Sequence, residues 1–114
     1  MTEPSFKFKN PIGLDLSIII VSFNTRDVLL DCLESVYAKT AGISYEIIVV
    51  DNASSDGSLA SVAERFPEAR LIRNEVNRGF STANNQGIHE STGKWVALLN
   101  PDTLLTENSF QKIF

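Results

Sequence analysis

Cysteine is nearly absent from the 114-residue sequence. Cys32 stands alone, which excludes an intramolecular disulfide framework and a cysteine-based metal cluster and fits a reducing compartment. Positive charge is also in short supply: 10 Lys and Arg against 14 Asp and Glu give a net charge of −4, and no basic stripe exists for a phosphate backbone. A nucleic-acid partner is therefore not expected. Long apolar runs are missing too. Runs such as Ile18 to Val21, with Leu16 just before it, are far too short to cross a bilayer, and no stretch reads as a signal peptide. A cytoplasmic location without a membrane span is the expectation. Neither G-x-G-x-x-G nor G-x-x-x-x-G-K-[ST] follows the first apolar run, so the usual phosphate cradles are lacking and any nucleotide phosphate needs other partners.

What is present describes one soluble globular domain, with 43% hydrophobic and 21% charged residues. Residues 1–15, with Pro4, Pro11 and Gly13 around Phe6 and Phe8, read as a lead-in without chemistry, and residues 16–114 as the domain. Leu16 to Val21, Glu46 to Val50 and Trp95 to Leu99 read as buried strands, and Arg70 to Arg73 as a shorter strand with Leu71 and Ile72 as its apolar pair. Helical spacing links Val28, Leu29, Cys32, Leu33, Val36 and Tyr37 after a cap at Asn24 or Thr25. A second helix, Gly57 to Phe66, buries Leu59, Val62, Ala63 and Phe66, and a third, Phe80 to Glu90, buries Phe80, Ala83, Gly87 and Ile88. The small residues Ala83 and Gly87 predict close contact with a sheet. Thr106 reads as the cap of a further helix, with Phe110 and Ile113 inward. Such β-α alternation with short connections predicts an α/β fold: a parallel sheet, doubly wound and Rossmann-like, with helices on both faces.

Ligands of open parallel sheets gather at the carboxyl ends of the strands, and three strand ends here carry polar residues: Ser22-Phe23-Asn24, Asp51-Asn52 and Asn100-Pro101-Asp102. An ionised carboxylate only accepts hydrogen bonds. Asp51 therefore suits a base edge with an imino N–H, as in uracil, thymine or guanine. Asp102 suits a divalent metal, Mg2+ or Mn2+, which favours carboxylate, phosphate and water oxygens. Arg78, in the Asn77-Arg78-Gly79 loop, has the reach and charge for a pyrophosphate. Cys32 and His89 read as a packing residue and a helix-end cation.

The segments IIIVSFN at Ile18 to Asn24, IIVVDNASSDGS at Ile47 to Ser58, NRGFSTANNQG at Asn77 to Gly87 and WVALLNPDT at Trp95 to Thr103 together resemble the nucleotide-binding half of family 2 glycosyltransferases. These are GT-A enzymes that use nucleotide-diphosphate sugars. The resemblance implies strand order 3-2-1-4 and a role in cell-surface polysaccharide biosynthesis. It further implies that Ser22, Phe23 and Asn24 line the nucleoside pocket, that Asp51, with Asn52 beside it, contacts the base, that Asn77, Arg78 and Gly79 approach the donor, and that Asp102 ligates the metal. The family motif is commonly D-x-D; Asn100 in its first position resembles the rhamnosyltransferase-like branch and leaves the ribose contact open.

Family members are about twice this length, so the sequence reads as a truncated donor-binding part of an inverting enzyme that takes a UDP- or dTDP-sugar. The general base is expected beyond Phe114, and the chain by itself is expected to be inactive and to dimerise through an uncovered fourth strand. The competing expectation is a non-enzymatic flavodoxin- or receiver-like module. A receiver would place acids after the first strand, where this chain has Ser22-Phe23-Asn24.

Overall fold

A computed structural model describes residues 13–114; most of the lead-in, residues 1–12, lies outside the described residues. The elements follow in the order β1 (Leu16–Ser22), α1 (Arg26–Lys39), β2 (Tyr45–Asp51), α2 (Ser58–Arg65), β3 (Arg70–Arg73), α3 (Phe80–Glu90) and β4 (Trp95–Leu99), with a single 3-10 turn at Gln111–Ile113. The strands form one sheet in the order β3-β2-β1-β4, and every pairing is parallel.

The continuous β-branched runs are explained by burial on both faces. Ile18 and Ile20 of β1 join Leu29, Leu33 and Val36 of α1 and Val62 of α2 in one core. Their neighbours Ile19 and Val21 point the other way, to meet Ile48, Val50 and Ala83 of α3. A Cβ at Gly87 would overlap Ile19 Cγ2, so the helix approaches the sheet as closely as its small residues predict.

At the amino end of the strands a polar network ties the layers together. Glu46 Oε2 accepts from Ser17 Oγ at 2.6 Å and from Thr92 N at 2.8 Å, and its Oε1 accepts from Arg70 at 3.0 Å. Burial alone would raise the Glu46 pKa; the hydrogen bonds from Ser17, Thr92 and Arg70 outweigh it and lower the carboxyl below its usual range. Ser17 Oγ in turn accepts from Gly93 N at 2.8 Å.

Several expected core positions lie elsewhere. Val28 is exposed and Leu30 is buried in its place, and Ala63 is exposed while Ser58 is buried. In α3 Phe80 is 58% and Ile88 40% exposed, and Asn84 is buried instead. The contact stripe of α3 centres on Ala83 and Gly87, which leaves Ile88 on its flank and Phe80 in the first turn, at the rim. β4 is not a buried strand: among the described residues it pairs with β1 alone, and Trp95 and Leu98 are 58% and 53% exposed. No helix starts at Thr106. The segment is tied instead to α1 and the turn after it: the backbone Leu105 N donates to Ser35 Oγ at 3.0 Å, and the side-chain Asn108 Nδ2 donates to the backbone Ala41 O at 3.1 Å. Phe110 is buried as expected, whereas Ile113 is 76% exposed.

The N-terminus of α1 is also capped differently. Thr25 Oγ1 is held by Ser22 Oγ at 2.9 Å and does not cap. Asn24 takes a left-handed conformation, with φ 51, and its Oδ1 accepts from Ser55 N. Asp56, from the next loop, accepts from Arg26 N at 3.0 Å.

Candidate functional site

The parallel register sets the candidate residues along the carboxyl rim. Ser22 lies opposite Asp51, Asp51 opposite Arg73, and Ile20 opposite Leu99, so the Asn100 turn follows on the far side of β1. Asp51 is 2% exposed. Its Oδ2 accepts from Ser54 N at 2.9 Å, which tightens the turn after β2. Oδ1 is buried without a hydrogen-bond partner among the described residues. A buried carboxylate oxygen left unpaired is costly, by about 1 to 3 kcal/mol or more, so this position favours an incoming N–H donor.

Ser22 is buried and spends its hydroxyl on Thr25, while Phe23 is 47% exposed. Asn24 braces the β2–α2 loop: its N–H donates to Ser54 Oγ at 2.8 Å, beside the Ser55 contact. Two clefts open near these loops. One, of about 410 Å3, is lined by Ala53, Ser54, Arg73, Asn74 and Glu75. The other, of about 500 Å3, lies at the start of α1, over residues 24–28 and Asp56.

Asn52 is 3% exposed, and its amide is engaged on both atoms. Oδ1 accepts from Asn74 Nδ2 at 3.0 Å and from Arg78 N at 3.1 Å, and Nδ2 donates to Gly79 O at 3.1 Å. Asn77 Oδ1 accepts from Gly79 N at 2.8 Å, a local turn bond. The Arg78 residue is exposed above this anchored backbone. Sequence reasoning missed Asn74, which is 4% exposed at the end of β3, and Gln86 of α3. Asn74 carries the same signal as Asp51, a polar residue directly after a strand.

Asn100 and Asp102 are exposed in a turn closed by Thr103 N donating to Asn100 O at 3.1 Å. Burial first, and the nearby Asp102 charge second, push the Cys32 thiol up to about 11, so it stays protonated at neutral pH. Among the described residues no three His, Cys, Asp or Glu side chains converge. A metal held here would rest on one carboxylate, completed by ligand and water oxygens, which is a donor set that Mg2+ and Mn2+ accept. No helix among the described residues is long and apolar enough to cross a membrane.

Comparison with known proteins agrees with this layout. Succinoglycan biosynthesis protein ExoO of Rhizobium meliloti is 32% identical over 100 residues, covering 87% of this chain and 28% of that protein. The fold matches S. aureus TarS 1-349 with a TM-score of 0.80 at 19% identity, over 88% of this chain and 31% of that one. It also matches the mannosyltransferase PcManGT from Pyrobaculum calidifontis, solved in complex with GDP-Man and Mn2+, with a TM-score of 0.77 at 25% identity, over 90% and 32% of the two chains. The chain thus spans about a third or less of these relatives' length. The family model for Glycosyl transferase family 2 matches residues 17–114, and the chain belongs to that family.

Proposed function

We propose that the chain is the donor-binding part of an inverting glycosyltransferase that moves a sugar from a UDP- or dTDP-sugar to an acceptor hydroxyl. The observation that carries this reading is the buried, unpartnered Oδ1 of Asp51 at the carboxyl rim of a parallel sheet. It accepts the imino N–H of the base, and Phe23 offers a ring face beside it, with Ser22 and Asn24 holding the loop. Asn52 fixes the 77–79 backbone, from which Arg78 reaches the diphosphate. Asp102, with Asn100 near the ribose, would hold a divalent metal, and the bound ion would supply Lewis-acid stabilisation of the leaving diphosphate.

In the transfer, the acceptor oxygen bonds to the anomeric carbon as the bond to the diphosphate breaks, from the opposite face. The acceptor proton passes to a base assigned to none of these residues, so the chain by itself binds donor without turnover. Polysaccharide assembly is the proposed role, supported by the likeness to ExoO, with the cytoplasm as its proposed setting, and the Asn100-Pro101-Asp102 form keeps the likeness to rhamnosyltransferase-like enzymes. The exposed β4 edge pairs two copies.

Calorimetry tests the reading. UDP or dTDP binds more tightly than ADP or CDP, and the metal strengthens the diphosphates but not the nucleosides. Equal binding of all four overturns the base assignment.

A further inference from the structure

We infer that Asn74 and Gln86 are positioning residues for the donor loop, acting through Asn52 to fix Arg78; this rests on the donor-binding reading above. The two amides face each other reciprocally: Asn74 Nδ2 donates to Gln86 Oε1 and Gln86 Nε2 donates to Asn74 Oδ1, each at 2.8 Å. Asn74 is further fixed from the sheet, its N–H donating to Asp51 O at 2.9 Å. The same Nδ2 reaches Asn52 Oδ1, the atom that receives the Arg78 N–H. A continuous chain of amides thus runs from α3, across the end of β3, to the tip of β2 and out to the loop.

The chemistry of this chain explains why amides stand there. Asn52 Oδ1 takes two donors, so its Nδ2 is obliged to point at Gly79 O, and the loop is gripped on a backbone donor and a backbone acceptor at once. Asn74 Nδ2 sets that orientation, and Gln86 sets Asn74. Without Gln86 the Asn74 amide is free to turn over, which would present an oxygen to Asn52 Oδ1 and loosen the Arg78 contact. An arginine on an ordered backbone loses less freedom when it meets a diphosphate, which is where the gain in affinity arises.

The test is calorimetry on the 114-residue chain with UDP, dTDP and GDP, each with Mn2+, beside uridine, thymidine and guanosine. Wild type, Gln86→Ala, Arg78→Ala and the double variant are compared, with amide hydrogen exchange at Arg78. Gln86→Ala weakens diphosphate binding by about three- to tenfold, the cost of ordering one long side chain, and leaves nucleoside binding unchanged. The double variant is no weaker than Arg78→Ala alone, and exchange at Arg78 accelerates. Asn74→Ser gives the same pattern from the strand side, which guards against a fold defect peculiar to one variant. Additive losses, equal loss of nucleoside and diphosphate, or unaltered Arg78 exchange overturns the inference. Wild type that binds none of the three diphosphates overturns the donor reading itself and the amides' role in it.

Discussion

Asp51 and Asp102 share a rim but differ in environment, one enclosed and one open to solvent. Asp51→Ala removes the acceptor and the base preference together, and UDP or dTDP loses about 1 to 3 kcal/mol while ADP and CDP change little, read by calorimetry. Asp102→Asn abolishes most of the affinity that Mn2+ adds to a diphosphate and leaves metal-free binding intact; titration with and without EDTA checks this. Both aspartates were legible in the sequence as strand-end carboxylates. The pairing of Asn74 with Gln86 was not legible, because they are twelve residues apart and meet only when α3 packs against the sheet. The role of Asn52 was legible only in part: its place after β2 suggests ligand contact, whereas its amide is spent on the chain's own loop.

Glu46 and Gly93 act between elements, where the α3–β4 connection meets the sheet. Ionised Glu46 accepts from Ser17, Thr92 and Arg70, and its folded pKa is lowered, so its contribution is complete above the ordinary value of 4.5. It is lost as pH falls through the lower folded value. Denaturant melts of wild type and Glu46→Gln should therefore differ most near neutrality and converge in acid. Arg70 is 41% exposed, so its ion pair adds little, and the enclosed hydrogen bonds dominate. A Cβ at Gly93 would lie 2.5 Å from Ser17 N and 2.6 Å from Leu16 C, both backbone atoms of the central strand. Gly93→Ala forces β4 away from β1 and lowers stability by about 1 to 3 kcal/mol in urea unfolding. Element type and strand order were readable because apolar runs and resemblance agreed. The side of each helix was read less well, since Phe80 and Ile88 keep helical spacing yet lie at the rim and flank of the α3 contact.

At the scale of the molecule, much of the exposed apolar surface among the described residues lies late in the chain. Trp95, Val96, Leu98, Leu104, Ile113 and Phe114 are each 39% or more exposed, and among the described residues β4 presents one unpaired edge. An apolar open edge favours pairing with a second copy, so light scattering on the concentrated chain should give the mass of a dimer, and Leu98→Lys should return it to a monomer. A strict monomer would count against the edge proposal. The doubly wound layout was readable as a whole, while the missing helix after Thr106 was not, because distant contacts with Ser35 and Ala41 hold that segment in another conformation. The position of β1 also governs the order of assembly. Leu16 meets Tyr45 on one side and Trp95 on the other, so the first pairing closes the shorter loop and the second waits for a segment far along the sequence. Since distant pairings form slowly and synthesis runs from the N-terminus, β1, α1 and β2 can dock while β4 is still being made. Until it arrives, one side of the most apolar strand stays open, and the nascent chain is most prone to misassociation in that interval.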